Sequence, residues 1–271
     1  MTEFGGKVVT ITGGGGGIGK AAAARFLAEG ASVVLSGRRE DVLGAAQREL
    51  DPGGRRTALV AADAGAPAMA QRVINVALER FGALDVLVNS TGIFRPVPFL
   101  EQTQEQVEEA LSSILRPTFY ASQAAARAMV SNGTAGAIVN VGSMWALDAI
   151  TATPTSVYSA AQAGRHALTK NLAIELAPHG IRVNTVALAF VETPAYERFM
   201  TPEQARAVLE SVHAFHPLGR HGYPHDVAEA ILFYASDRAG WITGTTMPID
   251  GGVLAGRNAP PEAAAPRPQA A

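Results

Sequence analysis

Residues 12–19 read Thr-Gly-Gly-Gly-Gly-Gly-Ile-Gly, between an apolar run at 7–12 and an alanine-rich stretch that follows. Glycines in that place let the chain reverse tightly and bring backbone N–H groups up to an anion at a helix N-terminus, which suits a diphosphate. Gly14, Gly16 and Gly19 match G-x-G-x-x-G, and Gly13, Gly17 and Gly19 match T-G-x-x-x-G-x-G. A merely flexible turn would use the same glycines, but the passage from strand to helix selects the phosphate reading. Gly13, Gly16, Gly17, Ile18 and Gly19 are therefore candidate cofactor contacts. The next apolar run ends Leu35-Ser36-Gly37-Arg38-Arg39. A carboxylate there would bond the 2′-hydroxyl of NAD, whereas an arginine suits the 2′-phosphate of NADP. Gly37 stands where the acid would be, so NADP(H) is preferred over NAD(H), with Arg38 on the phosphate. The competing reading makes both arginines a solvated start to the next helix.

Other chemistries are excluded by composition. With no cysteine among 271 residues, there is no disulfide framework, thiolate zinc site or cysteine nucleophile. The net charge is −2, 17% of residues are charged, and no basic block interrupts the chain, which argues against a nucleic-acid partner. No apolar run reaches the roughly 18 residues that span a bilayer, and the opening MTEFGGK lacks a basic head and apolar core. The expectation is a soluble cytoplasmic protein. His213, His216, His221 and His225 form a cluster, but their spacing lacks the order of a zinc pair with a placed acid. They read as loop and cap residues, and no metal is expected. The basic residues are 19 Arg and only three Lys (Lys7, Lys20 and Lys170).

The elements that must position these residues alternate. Buried strands are predicted at 7–12, 31–36, 57–61, 84–89, 137–141 and 181–187, with a seventh at 246–250. Helical spacing runs through 18–29, 40–50, 66–81, 103–130 and 156–177. Thr103 with Gln106 is a capping-box signal. Parallel strands need crossovers, and nearly unbroken apolar strands fit a sheet covered on both sides. The fold class is therefore α/β: a Rossmann-like, doubly wound parallel sheet of about seven strands, with helices on both faces. Residues 1–256 read as a single dinucleotide-binding and catalytic domain. Residues 257–271, rich in Pro and Ala, read as a disordered tail.

With these motifs in place the chain resembles the short-chain dehydrogenase/reductase family from about Gly6 to Gly252. Asp63 resembles the family's adenine-contacting Asp, and Asn89-Ser90-Thr91-Gly92 its N-N-A-G segment. Ser143 resembles the catalytic serine, Tyr158 the tyrosine of Y-x-x-x-K, and Thr193-Pro194 the stretch that contacts the nicotinamide amide. Ile181-Arg182-Val183-Asn184, Pro217-Leu218-Gly219-Arg220 and Asp250-Gly251-Gly252 match further signatures. The resemblance implies hydride transfer between nicotinamide and a carbonyl or alcohol carbon. Tyrosine exchanges the proton, serine holds the substrate oxygen, a lysine bonds the ribose and lowers the tyrosine pKa, and an asparagine completes a proton relay. It places the cofactor on Asp63, Asn89, Gly92, Tyr158, Gln162, Val191 and Thr193 beside the glycine loop. It implies a homodimer or homotetramer through the long helices at 103–130 and 156–177, and a lid near the four histidines. Met144, Trp145, Leu147, Phe190, Tyr196, Phe199 and Phe215 fall where they would line a pocket, favouring an apolar or aromatic carbonyl over a sugar. Asp148 and Glu192 are the acids expected beside the site.

Three departures from the family pattern bear on function. The lysine position holds Gln162, Ile114 stands at the relay asparagine, and Ala187-Leu188-Ala189 replaces N-P-G. Ser143 and Tyr158 are separated by 15 residues, the extra length falling at 148–155. A unit charge about 4 Å from a phenolate is worth roughly 4 kcal/mol at an effective dielectric near 20, or about three pKa units. Without it Tyr158 should stay near the ordinary tyrosine value of about 10, or above it if buried. Gln162 still offers a hydrogen bond to ribose. Activity should then favour ketone reduction over alcohol oxidation. Arg165, one helical face on but about 10 Å along the axis, is expected to pack against a partner subunit. Lys170 is too far to substitute, and Arg116 is a lesser candidate for the pocket. The catalytic set is thus Ser143, Tyr158 and Gln162. The rival is a protein of the same fold that binds cofactor or ligand while performing regulation or non-redox chemistry of an isomerase or cyclase kind.

Overall fold

The computed structural model describes residues 2–150 and 153–256. The Pro/Ala-rich stretch at 257–271 lies outside the described residues. Seven parallel strands form one sheet: β1 (Val8–Thr12), β2 (Ser32–Gly37), β3 (Thr57–Ala61), β4 (Val86–Asn89), β5 (Ala137–Ser143), β6 (Arg182–Leu188) and β7 (Thr246–Ile249). Their order is β3-β2-β1-β4-β5-β6-β7, the doubly wound arrangement expected. Helices α1 (Gly17–Ala28), α2 (Glu40–Leu50), α3 (Pro67–Phe81), α4 (Gln104–Ala110), α5 (Arg116–Ser131), α6 (Ser156–Leu176), α7 (Pro202–Ser211) and α8 (Pro224–Ala235) complete it.

Strand side chains alternate between two buried layers, as a period of two requires. Val9 and Ile11 of β1, Val86 and Val88 of β4, and Val139 of β5 pack with Phe26 of α1 and Ile231 of α8. Val8, Leu87 and Ile138 point the other way, onto Ile74 of α3 and Met129 of α5. Burial on both faces explains why the strands read as unbroken apolar runs.

One expectation needs correction. The single helix foreseen at 103–130 is two helices joined by a π-helical turn at Leu111–Leu115. Thr103 does cap α4 through the foreseen box with Gln106. Pro117 has no N–H to give the carbonyl of Ser113, and its ring crowds that oxygen, so regular α-geometry fails one turn earlier. The carbonyl of Ile114, within this turn, accepts two side-chain donors. The Thr118 hydroxyl lies at 2.7 Å and Arg165 Nη2 at 3.1 Å.

Candidate active site

A cleft of about 850 Å3 opens at the C-terminal ends of the strands. It lies around β1 and β4, where the winding of the sheet reverses, which is the place a doubly wound sheet offers for a ligand. The glycine loop forms one wall. Gly13 sits at φ +73°, and a Cβ there would lie 2.6 Å from the carbonyl oxygen of Ser90. Gly19 faces inward instead: its Cβ would meet the Gly13 carbonyl at 2.3 Å, so it closes the loop from behind and does not line the cleft. Gly16 has extended backbone that any residue adopts, and no protein atom lies within 4 Å of its would-be Cβ. Its bareness serves the cleft, not the fold. Helix α1 carries no acid in its first turn, leaving its N-terminal N–H groups for an outside anion. Loop, helix end and volume together fit a dinucleotide.

At the outer end Arg38 and Arg39 line the cleft, joined by Arg198 from the loop before α7. None of the three makes an ion pair among the described residues. Burial lowers the Arg198 pKa, and repulsion from Arg38 and Arg39 lowers it further. Asp63 also lines the cleft and accepts a bond from the backbone N–H of Gly65 at 2.9 Å. Gly92, Val191 and Thr193 contribute to the walls, and Thr193 packs beside Gly17.

Asn89 is placed elsewhere. Its position on β4 points it into the layer under α5, where its amide donates to Ser122 Oγ at 3.0 Å and Asn140 Oδ1 at 2.9 Å. It is fully buried and props the floor of the cleft without lining it.

At the inner end Tyr158 and Gln162 lie one turn apart on α6, both buried. Gln162 Nε2 donates to the Tyr158 oxygen at 3.2 Å, and the nearby Ser143 hydroxyl also favours the anion of that phenol. Ser143 is fully buried at the end of β5, just behind the cleft wall formed by Val141, Gly142 and Trp145, and the strand runs two residues further than expected. Burial pushes the Tyr158 phenol above its usual value despite the opposing bonds from Ser143 and Gln162 and the charge of Arg165.

Arg165 overturns the expectation of partner packing. It is 1% exposed and turns back inside its own chain, lining the cleft. All five of its N–H donors are used. Nε donates to Thr118 Oγ1 at 2.9 Å, and Nη2 to the carbonyls of Thr91 at 2.7 Å and Ile114 at 3.1 Å. Nη1 donates to the carbonyl of Val141 and, at 3.4 Å, to Gln162 Oε1. Burial brings the guanidinium pKa down to about 10, the charge of Tyr158 acting the other way, so it is a cation at neutral pH. Arg116, by contrast, points outward to Glu108.

His166, next along α6, was not foreseen as part of the site. Its Nε2 accepts from the Ser143 backbone N–H at 3.4 Å, and a Cβ on Gly142 would lie 2.3 Å from that nitrogen. Burial, then the charge of Arg165, lowers its pKa to about 4, so it supports the β5 end as a neutral ring.

Aromatic rings roof this end. Phe94, also unforeseen, packs edge-on to Tyr158 at 5.1 Å and close to Trp145, Tyr196 and Phe199. Trp145 meets Phe190 at 4.9 Å, with Phe215 behind, and Met144 is buried in the same cluster. Leu147 is half-exposed and outside it. The acid lining the chamber is Glu109 of α4, bound to Arg95 at 3.1 Å, not the expected Asp148 or Glu192. Glu192 Oε2 lies 3.4 Å from His221, which bonds His213 at 2.9 Å. Among the described residues no group of three or more His, Cys, Asp or Glu converges to hold a metal.

A family model described as enoyl-(acyl carrier protein) reductase matches residues 14–254. L-xylulose reductase of Mus musculus is 36% identical over 92% of this chain and 97% of its own length. A short-chain type dehydrogenase/reductase from Mycobacterium marinum superposes with a TM-score of 0.85 at 29% identity, covering 94% of this chain and 98% of that one. ElxO, solved with NADP bound, superposes at 0.84 with 28% identity, over 92% and 99%. The chain belongs to the short-chain dehydrogenase/reductase family of oxidoreductases. Relatives in this family act on small carbonyl or alcohol substrates.

Proposed function

We propose that the protein is an NADP(H)-dependent oxidoreductase that reduces an apolar or aromatic ketone to its alcohol. The observation that carries this reading is the orientation of the Tyr158 phenol. Arginine only donates, so Arg165 fixes the oxygen of the Gln162 amide toward itself and the NH2 toward Tyr158. The phenol oxygen therefore accepts from Gln162, and its own proton is left to donate into the chamber. A raised pKa keeps that proton in place at neutral pH, which favours an acid over a base.

Gly13, Gly16, Gly17 and Ile18 would hold the cofactor diphosphate with the α1 N-terminus. Arg38 would take the 2′-phosphate beside Arg39 and Arg198, Asp63 would face the adenine side, and Gly92, Val191 and Thr193 would shape the inner walls. Gln162 uses one amide hydrogen on Tyr158 and keeps the other for ribose. The bound dinucleotide would supply a hydride to the carbonyl carbon. Tyr158 gives its proton to the carbonyl oxygen, which becomes the hydroxyl, and Ser143 steadies that oxygen. Rings of Phe94, Trp145, Phe190, Tyr196 and Phe199 favour an apolar substrate by desolvation, although one relative's name is that of a sugar reductase. We also assign a homodimer or homotetramer through α5 and α6, which leave Phe119 44% and Ile174 76% exposed. A cytoplasmic setting fits as well, since no helix among the described residues is long and apolar enough to cross a membrane.

Loss of NADPH absorbance with a panel of aryl ketones, alicyclic ketones and ketoses tests the reading. Turnover fastest with the apolar ketones is expected. Tight NADPH binding without turnover of any of them would overturn it in favour of non-redox chemistry.

A further inference from the structure

We infer that Arg165 is the cation that stabilises the Tyr158 phenolate, acting through the amide of Gln162 as a positioning residue. The inference rests on the assignment of Tyr158 as the acid. When a carbonyl oxygen takes the Tyr158 proton, the O–H bond breaks and its electron pair stays on the phenol oxygen. A buried anion forms there, in the surroundings that already raise the phenol's pKa by desolvation. The guanidinium of Arg165 keeps its proton throughout and faces that oxygen across two hydrogen bonds, through Gln162 Oε1 and Nε2. A proton from water later restores the phenol.

Two observations separate this role from that of a simple staple. Arg165 is buried with no carboxylate partner among the described residues, although burying a charge is costly and such groups are ordinarily paired. Its acceptors are three carbonyls, a hydroxyl and the Gln162 amide, all neutral. The anion that would balance it is the one formed at Tyr158 during the reaction. In addition, the carbonyl of Ile114 that anchors Nη2 belongs to the π-turn before α5, so the cation is held in place from outside its own helix. Gln162 then has to be neutral. A lysine at that position would set an ammonium against a guanidinium that has no counter-charge. The substitution that would restore the family motif should therefore harm this chain.

The test reads Tyr158 in the protein without cofactor or substrate, so it stands apart from turnover. The full chain is labelled with 3,5-difluorotyrosine, whose stronger acidity brings the titration into the range where the fold survives. Its 19F signals are followed against pH, with Tyr158→Phe assigning the resonance. Arg165→Gln is expected to raise the Tyr158 titration by about 1 to 2 pKa units, and Arg165→Lys to restore at least half of that shift. An unmoved titration in folded Arg165→Gln would overturn the inference. Should Arg165→Gln not fold, Gln162→Lys decides. A lower melting temperature, recovered in Gln162→Lys/Arg165→Met, supports the buried like-charge clash, whereas a Gln162→Lys protein as stable as the parent contradicts it. If the titration responds but no ketone is reduced, the cation stands and the proposed reaction falls.

Discussion

The two ends of the cleft both carry arginine without a carboxylate partner among the described residues, but they hold it differently. At the outer end Arg38, Arg39 and Arg198 repel one another across an open surface and await an anion from outside. At the inner end Arg165 is sealed from water, every donor engaged, beside the phenol proposed to become an anion in the course of reaction. The outer charges are adjustable and screened by salt, which suits binding. The inner charge is fixed before the reaction begins, which suits stabilising a transient. On the proposed reading the same side chain serves recognition in one place and electrostatic preorganisation in the other, and burial decides which.

The largest effect should come from the inner end. Tyr158→Phe removes the proton donor and is expected to lower the kcat of ketone reduction by about 10²- to 10⁴-fold, with NADPH affinity kept within a few-fold. A comparable fall in NADPH affinity instead would move Tyr158 from chemistry to binding.

Next is stability against acid, a property of the inner end alone. His166 has a folded pKa near 4 against an ordinary 6.5, so the unfolded chain binds the proton more readily. Its contribution is fully present above pH 6.5 and is lost as the pH falls toward 4, by about 2–3 kcal/mol. Urea midpoints across that window, with His166→Gln showing a blunted loss, measure it.

A smaller change is expected at the outer end. Arg38→Ala should weaken NADPH binding by about 10- to 100-fold, as for a charge-assisted bond worth about 1.5–3 kcal/mol, and leave NADH nearly unchanged. Trp fluorescence titration separates the two cofactors. Equal losses for both would show that Arg38 does not read the phosphate. The smallest effect sharpens the contrast directly. Raising salt should cut NADPH affinity several-fold in the parent and less in Arg38→Ala, while leaving the Tyr158 titration in place.

Much of this was legible in the chain because strand alternation and glycine chemistry are local. The strands and most helices follow from periods of two and 3.6, the glycine loop from its spacing between strand and helix, and the meeting of Tyr158 with Gln162 from their four-residue separation on one helix. Arg165 did not follow. Its distance along the axis was reckoned to Tyr158, whereas its real neighbour is Gln162 one turn back, and helical side chains lean toward the N-terminus. The acceptors that draw it inward are backbone carbonyls of Thr91, Ile114 and Val141, which no side-chain pattern reveals. Asn89 was misplaced for a different reason, since matching a motif says where a residue stands and strand parity says which way it faces. Phe94 sits on a loop, beyond the reach of either period.

The central claim is that Tyr158 is a neutral buried acid. Its most direct test is the pH profile of kcat/KM for NADPH-dependent reduction of the best apolar ketone. The phenol stands above its ordinary value of 10.0. The profile should therefore show no fall between about pH 6 and about pH 10, declining only beyond it. A decline with an apparent pKa near neutrality that Tyr158→Phe removes would contradict it.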